Sequence, residues 1–239
     1  MKARIENSEL NTDDRTTTDV ISSQPSRTTA QAFETLRQFA RGERRSVEHC
    51  ELCSTEVRPE HPHLFDIYKK RLLCACDACG LLFCGRKDAK FKVVPRRVRR
   101  LTNFHLTDAE WDALLIPINL AFFIQGSDSG VTALYPSPAG ATESLLTLEM
   151  WTSIAEANPV LQLLQPDVEA LLVNRVGHAR GAVAAEYYIA PIDACYRLVG
   201  LIRMHWHGLS GGEEVWREIG NFFAQLRSKA EVVSQEAHA

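Results

Sequence analysis

The sequence predicts an α+β fold in which a small metal-binding module precedes an antiparallel-sheet domain with flanking helices. Four of the seven cysteines form two Cys-x-x-Cys pairs, Cys50 with Cys53 and Cys76 with Cys79. Further along the chain, β-rich runs come in hairpin-like pairs with helical segments around them, and not in alternating strand–helix order. A length of 239 residues with 45% hydrophobic content is enough for one medium-sized domain and a small module.

Composition and charge argue against several classes of protein. A formal net charge of -3 does not suit a protein whose whole surface binds a polyanion. The apolar runs are shorter than the roughly 20 residues of a membrane-spanning helix, and no secretory signal pattern opens the chain. Because the cysteines are clustered at metal-ligand spacing without such a signal, we expect reduced thiols and a cytoplasmic protein with no membrane span.

Changes in composition along the chain predict five segments. The first is rich in Ser, Thr, Asn and Asp and lacks the apolar residues that would offset chain entropy, so we expect it to be disordered. The second has apolar residues at helical spacing. The segments are a disordered tail at 1–28, a helix at 29–45, the four-cysteine module with a basic run at 46–103, the α+β domain at 104–230 and a tail at 231–239.

The cysteine module is predicted to hold one metal ion. Each Cys-x-x-Cys turn presents two sulfurs that reach a single ion at about 2.3 Å, and two such turns complete a tetrahedral site. Short β-rich runs at 63–65 and 71–74 separate the pairs, as in zinc-ribbon or rubredoxin-like modules. Such a module has almost no core, so the ion supplies on the order of 10 kcal/mol of folding free energy. The predicted metal ligands are Cys50, Cys53, Cys76 and Cys79.

Zinc is the expected metal and iron is the alternative, because four thiolates hold either ion tetrahedrally. Ser54 follows the first pair where rubredoxins have glycine, and the second pair contains no proline; both departures favour a structural zinc site. Gly80, after the second pair, is expected to permit the turn that directs N–H groups at sulfur. A closed four-thiolate site leaves no open position for catalysis, so the sequence favours a protein that is not an enzyme.

Other side chains near the cluster offer additional ligand atoms. Cys74 lies two residues before Cys76 and is able to replace one of the four ligands, whereas Cys84 is expected to be a free thiol. His61 and His63 are spare nitrogen ligands, although histidines of this kind are more often ordinary surface residues.

A strongly basic run lies between residues 86 and 100. A zinc ribbon beside such a stripe is one layout of nucleic-acid-binding proteins. The acidic overall charge and the few nearby aromatic residues favour instead a linker that meets an acidic partner or the second domain. The basic side chains are those of Arg86, Lys87, Lys90, Lys92, Arg96, Arg97, Arg99 and Arg100.

Capping and turn signals delimit the predicted elements of the second domain. Thr107 and Glu110 form a capping box for a helix that ends near residue 115. A Pro- and Gly-rich stretch at 136–143 is expected to be a loop, and Ser210 and Glu213 form a second capping box before the last helix. The other predicted elements are strands at 119–125, 131–135, 168–175 and 186–190, and helices at 148–157 and 193–206.

Three further residues of reactive type are assigned no chemistry. His205 and His207 are two apart at a helix end, which points them to different faces of the helix. Cys195 lies on the same helical stripe as several apolar residues, so we expect it to be a small core residue.

Four stretches of the sequence carry a family resemblance, and they are Leu72–Cys79, Tyr135–Ser144, Pro166–Leu172 and Gly208–Trp216. Over about residues 46 to 230 the chain resembles an uncharacterised family of bacterial, largely actinobacterial, proteins encoded beside high-affinity nickel–iron hydrogenase genes. The resemblance implies an accessory role in hydrogenase maturation, assembly or electron delivery. It assigns no role to any residue.

The sequence therefore leads to three functional hypotheses. The first is a metal-binding accessory protein that docks on a nickel–iron hydrogenase subunit or maturation factor. The second is a rubredoxin-like iron carrier that uses the same four cysteines and serves the hydrogenase. The third is a zinc-ribbon regulator that binds nucleic acid through the basic run, which requires salt-dependent binding.

Overall fold

The computed structural model describes residues 47–84, 89–128, 130–144, 148–177 and 184–234. The predicted tail at 1–28 and the predicted helix at 29–45 lie outside these residues, as do positions 86–88 of the basic run. Residues 47–239 belong to one compact unit, whose strands form two separate sheets.

The predicted α+β fold class is confirmed. The helices are α1 (Asp77–Phe83), α2 (Asp108–Ala113), α3 (Leu148–Ala157), α4 (Ile192–His205) and α5 (Gly212–Lys229), with a 3-10 helix at Pro159–Leu163. The strands are β1 (His63–Asp66), β2 (Arg71–Cys74), β3 (Phe91–Val93), β4 (Arg99–Thr102), β5 (Leu120–Gly126), β6 (Gly130–Ser137), β7 (Gly140–Glu143), β8 (Glu169–Asn174), β9 (Glu186–Pro191) and β10 (Glu231–Ser234). No helix among the described residues is long and apolar enough to cross a lipid bilayer.

The smaller sheet carries the cysteine module. Its three strands are antiparallel and lie in the order β2–β1–β3. A compact apolar cluster packs beneath it, and its fully or nearly buried members are Cys50, Val57, Leu64, Leu73, Ala75 and Cys79. The module thus has a small core of its own, built partly from two of the predicted metal ligands.

The larger sheet has seven strands in the order β10–β4–β9–β8–β5–β6–β7. All neighbouring pairs are antiparallel except β10 and β4, which are parallel. Helices α4 and α5 pack on one face of this sheet, and α2, α3 and the 3-10 helix pack on the other. Leu171 and Leu172 therefore point to opposite faces and are both fully buried. A central strand with two covered faces reads as a continuous apolar run, as β8 does.

Most strands and helices lie where the sequence predicts them, and Thr107 and Glu110 form the predicted capping box at the start of α2. Two local predictions are wrong. The expected loop at 136–143 is the end of β6 and all of β7, joined by a two-residue turn at Pro138 and Ala139, after which Gly140 starts β7 with a φ of 130°. The expected capping box of Ser210 and Glu213 is not formed, because Gly211 caps α5 with a left-handed φ of 87° and no side-chain bond.

The structure also places two short strands outside their predicted segments. Strand β4 falls within the range 46–103 expected for the cysteine module, but it pairs with β9 and β10 in the larger sheet. The expected tail at 231–239 begins with β10, whose residues pair in parallel with β4 at the sheet edge. Four residues are too few to show a clear hydrophobic periodicity. The strand with which β10 pairs lies far away in the sequence, so the local sequence does not indicate the pairing.

Candidate metal centre

The four predicted ligands converge on one centre. The sulfur atoms of Cys50, Cys53, Cys76 and Cys79 all lie within 4.8 Å of one another. Cys53 Sγ and Cys76 Sγ are 3.7 Å apart, close to the edge of a tetrahedron with metal–sulfur bonds of about 2.3 Å, which is about 3.8 Å. The arrangement therefore has the ligand type, number and spacing of a four-thiolate metal site.

The first pair lies in a tight turn closed by backbone hydrogen bonds. Cys50 N–H donates to the Thr55 carbonyl at 2.8 Å, and Ser54 N–H donates to the Cys50 carbonyl at 2.7 Å. Ser54 has a φ of 62°, in the left-handed region that glycine adopts without cost. The turn thus keeps a backbone conformation for which glycine is favoured, although serine fills the position.

The second pair begins a helix instead of filling a second hairpin turn. Cys76 is the N-cap of α1, and Cys79 N–H donates to Cys76 Sγ at 3.4 Å. Gly80 lies inside α1, with its N–H donated to the Cys76 carbonyl at 3.0 Å. The turn-forming role predicted for Gly80 is therefore wrong, because the helix itself directs an N–H group at the sulfur.

Glu51 ties the two pairs together. Its N–H donates to the Cys74 carbonyl at 2.9 Å, and its carboxylate accepts the Cys74 N–H at 3.0 Å. One residue of the first turn is therefore hydrogen-bonded to the strand that leads into the second pair. These hydrogen bonds hold the two pairs at a defined spacing.

The environments of the four thiols differ. Hydrogen bonds from Thr55 lower the pKa of Cys53 to about 6. Burial on its own would raise the pKa of Cys50, but hydrogen bonds from the backbone, that of Cys76 first, lower it below its ordinary value. Burial and the neighbouring thiols raise the pKa of Cys79. A bound cation stabilises all four thiolates, and it would remove this competition for protons.

The four ligand residues differ in burial. Cys50 and Cys79 are buried, Cys76 is half-buried and Cys53 is exposed. Four cysteine sulfurs would fill all four positions of a tetrahedral ion, as in structural sites. Either zinc or iron suits four thiolates.

Cys74 and the two histidines form a second group of ligand atoms. A ring nitrogen from each of His61 and His63 and the sulfur of Cys74 lie within 4.8 Å of one another. Cys74 therefore lies with the histidines, outside the four-cysteine group. His61 is buried, so the expectation of an ordinary surface histidine is wrong for it. Burial, and then the charges of neighbouring carboxylates, raise the pKa of Cys74.

Among the described residues, Cys84, Cys195 and His205 belong to neither group. Cys84 is half-buried and burial raises the pKa of its thiol. Cys195 is fully buried in the core of the larger sheet, as predicted, and burial raises its pKa. His205 Nδ1 lies 3.0 Å from the Glu214 carboxylate, within hydrogen-bond distance, where α4 meets α5.

The described part of the basic run contacts acidic groups and carbonyls of the protein itself. Lys92 Nζ lies 2.7 Å from the buried Asp167 carboxylate. The buried carboxylate of Glu169 accepts from Arg99 at 2.6 Å and from Arg97 at 3.3 Å. The run therefore connects the cysteine module to the larger sheet, and these cations are not free for a phosphate backbone.

Two side-chain contacts across the chain are not evident from the sequence. Asp193 at the start of α4 accepts a hydrogen bond from His63 at 2.8 Å, and Asp167 pairs with Lys92. Each joins residues that are 75 or more positions apart. Only the opposite charge of such residues could have drawn attention to them, and charge alone does not indicate a partner.

A search of curated proteins and a search of solved structures found no match to this chain. A family model does match, over residues 49–230, and its description is a family of unknown function, DUF5947. The matched range contains all four predicted metal ligands and both sheets up to the end of α5. Because that match covers well over half of the sequence, the chain belongs to the DUF5947 family of proteins of unknown function.

Proposed function

We propose that this chain is a metal-stabilised accessory protein that acts by docking on another protein. The observation that carries the proposal is the convergence of four cysteine sulfurs beside the start of a helix whose last three residues are exposed and apolar. The metal is zinc and its role is structural, since four protein ligands leave no position for a substrate.

The docking element is helix α1. Its residues Leu81, Leu82 and Phe83 are exposed by 83%, 71% and 47%. They follow Cys79 and Gly80 in the same helix, so the ion would hold the helix through its N-cap Cys76 and through Cys79 in its first turn. Consecutive large apolar side chains in water are typical of protein-interaction sites. A rigid helix loses little conformational entropy on binding, which favours affinity.

The proposed partner is a subunit or a maturation factor of a nickel–iron hydrogenase. The support for this partner is the resemblance of the four sequence stretches to proteins encoded beside hydrogenase genes. The exposed apolar residues of α1 favour a protein as the partner. The basic run gives no support to a nucleic-acid partner, because its cations form ion pairs within the protein.

Metal analysis of protein purified from its native host tests the metal. We expect a colourless protein with stoichiometric zinc, and we expect Cys50→Ser to lose the ion of the four-cysteine site. Cys84→Ser is the matched control, because Cys84 lies in the same module but outside both ligand groups. A native protein without metal, or a Cys50→Ser variant that keeps the full zinc content, would refute the proposed site.

Affinity capture from hydrogenase-expressing cells tests the partner. The double variant Leu81→Ser/Leu82→Ser is expected to keep its zinc. The amount of partner that it captures should fall by about tenfold or more, the loss typical of an interface hot spot. Leu209→Ser changes a fully exposed leucine on the turn before α5 and serves as the control. Capture of no hydrogenase subunit or maturation factor by the wild-type protein counts against the partner.

An iron electron carrier is the second candidate. Two observations favour it, namely the exposure of Cys53 and the left-handed φ of Ser54, which favours glycine, the residue that rubredoxins have at this position. Exposure of one ligand shortens the path for electron transfer to a docked protein. A red protein from the native host, which bleaches on reduction, would favour this function over the structural one.

A further inference from the structure

We propose that His61, His63 and Cys74 bind a second divalent transition-metal ion, of the zinc class, separate from the four-cysteine site. Their ligand atoms lie within 4.8 Å of one another. If all three distances between the ligand atoms were 4.8 Å, an ion at the centre of the triangle would lie about 2.8 Å from each atom. The metal–ligand bonds of such sites are about 2.0 to 2.3 Å long. Small side-chain rotations are therefore enough to close the site on an ion.

The register of the smaller sheet places the three residues on one face. His63 and Cys74 are directly opposite each other in the β1–β2 pair. His61 lies two residues before His63, on the same side of the extended chain, and Ala75 N–H donates to the Pro62 carbonyl at 3.0 Å. Two of the three ligands, His63 and Cys74, therefore come from paired strands.

His61 has a buried nitrogen without a partner. Its Nδ1 lies 2.9 Å from the Arg58 carbonyl, and a carbonyl only accepts, so Nδ1 carries the proton and Nε2 carries a lone pair. The His61 side chain is 4% exposed, and Nε2 has no hydrogen-bond partner among the described residues. A buried acceptor of this kind is rare in native proteins. A metal ion supplies the partner that the protein does not.

His63 is held in the manner of a metal-bound histidine. Its Nδ1 lies 2.8 Å from the carboxylate of Asp193 on helix α4. A carboxylate that accepts from one ring nitrogen fixes the orientation of the ring and leaves the other nitrogen free to bind a metal. Asp193 is therefore a positioning residue. It lies on helix α4, which packs on the larger sheet, whereas His63 and Cys74 belong to the smaller sheet.

The proposed site differs in kind from the four-cysteine site. Three protein ligands leave a fourth position open, as in exchangeable or catalytic zinc sites. His63, Cys74, Asp193 and Arg197 also line a cavity of about 320 Å³. Glu51 lines it as well, so groups of both charges surround the cavity beside two of the three proposed ligands. Two imidazoles and one thiolate suit zinc, and cobalt is its spectroscopic substitute.

Zinc content after gel filtration tests the proposal on the full chain. We expect two ions per chain in the wild-type protein and in Cys84→Ser. We expect one ion in Cys74→Ser, His61→Gln and His63→Gln. Cys50→Ser removes the ion that holds β1 and β2 in place, so this variant is expected to lose both ions. If the four-cysteine site binds no ion, Cys74→Ser should hold none; if the second site binds no ion, Cys74→Ser should hold the same single ion as the wild-type protein.

Cobalt substitution provides the second readout. Cys74→Ser is expected to lose part of the thiolate-to-cobalt charge-transfer absorption, while the contribution of the four-cysteine site remains. Asp193→Asn keeps all three ligands, and we expect it to weaken binding at this site by about 10- to 100-fold, the usual effect of removing a carboxylate partner of a ligand histidine.

Three outcomes overturn the proposal. These are a single ion in the wild-type protein at saturating zinc, two ions retained in Cys74→Ser, and an Asp193→Asn variant with unchanged affinity. Circular dichroism identifies any variant that does not fold, and the count then rests on the remaining two ligand variants and on the wild-type protein.

Discussion

Asp167 shows how one side chain connects the cysteine module to the larger sheet. Its carboxylate is 2% exposed and lies 2.7 Å from Lys92 Nζ. The Ser127 side chain and backbone N–H also donate to it, and Lys70 approaches from 3.7 Å. Burial by itself would raise the pKa of Asp167, but the hydrogen bonds from Lys92 and Ser127 outweigh it and lower the pKa. The folded protein therefore favours the charged form.

Asp167→Asn is expected to destabilise the protein at pH 7 by about 2 kcal/mol, because the charge-assisted hydrogen bonds to the carboxylate are lost. The loss is not larger because water still reaches the partly exposed Lys92. Asparagine is the suitable replacement, since it tolerates the left-handed φ of 71° at this position. A carboxyl whose pKa is lowered by folding stabilises above the unfolded value of 3.8 and loses that contribution as the pH falls through the folded pKa.

Urea unfolding at pH 7 and near pH 2 measures this effect. The difference in free energy of unfolding between wild-type and Asp167→Asn proteins should shrink towards zero in acid. Both proteins lose bound metal in acid, so the difference isolates Asp167. Asp128→Asn changes an exposed neighbour and should have little effect at either pH. A difference that stays constant with pH would show that the charge of Asp167 contributes nothing.

At the residue scale, local spacing decided what could be predicted. The two Cys-x-x-Cys pairs converge as expected, because each pair is a local turn and the ligand type is explicit. The place of Cys74 could not be derived in the same way. Its neighbours His61 and His63 are brought to it by the register of β1 with β2, and a one-residue change in register would have separated them.

At the scale of elements, helix α2 offers a direct test of a capping box. Thr107 accepts the N–H of Glu110 at 3.2 Å, and the Glu110 carboxylate accepts the Thr107 N–H at 2.7 Å. Thr107→Ala removes the hydroxyl and should cost about 1 kcal/mol, whereas Thr107→Ser should cost much less. Thermal unfolding of the metal-loaded protein compares the two. Equal stability of the alanine and serine variants would contradict a stabilising cap.

Elements were predictable where their own residues carry the signal. Strands β5, β8 and β9 are apolar runs between turn residues, and they lie within one or two residues of their predicted bounds. Strands β7 and β10 were missed because neither has a fully buried side chain, so neither carries the pattern of a core strand. Gly140 and the prolines near β7 indicate a turn but not the strand that follows. Helix α1 was missed because its cysteines were assigned to a turn, although a helix start satisfies the same spacing.

At the scale of the whole molecule, the two sheets have cores of very different size. The core of the smaller sheet has six buried members, whereas both faces of the larger sheet are covered by helices. The module is nevertheless anchored to the larger core, because Phe65, Val94 and Val98 are buried in it. The module therefore depends on its ion more than the larger sheet does, while the junction couples them.

Removal of metal is expected to unfold the module and to leave the larger sheet folded. A structural ion contributes on the order of 10 kcal/mol, more than the small core of the module can replace, while strands β8 and β9 remain buried between two helical layers. Hydrogen exchange measured before and after chelation should show loss of protection in β1, β2 and α1 and retained protection in β8 and β9. Zinc added back should restore the first group. Simultaneous loss of protection in β8 would instead indicate a single cooperative unit, and unchanged exchange in β1 and β2 would mean that the metal does not hold the module together.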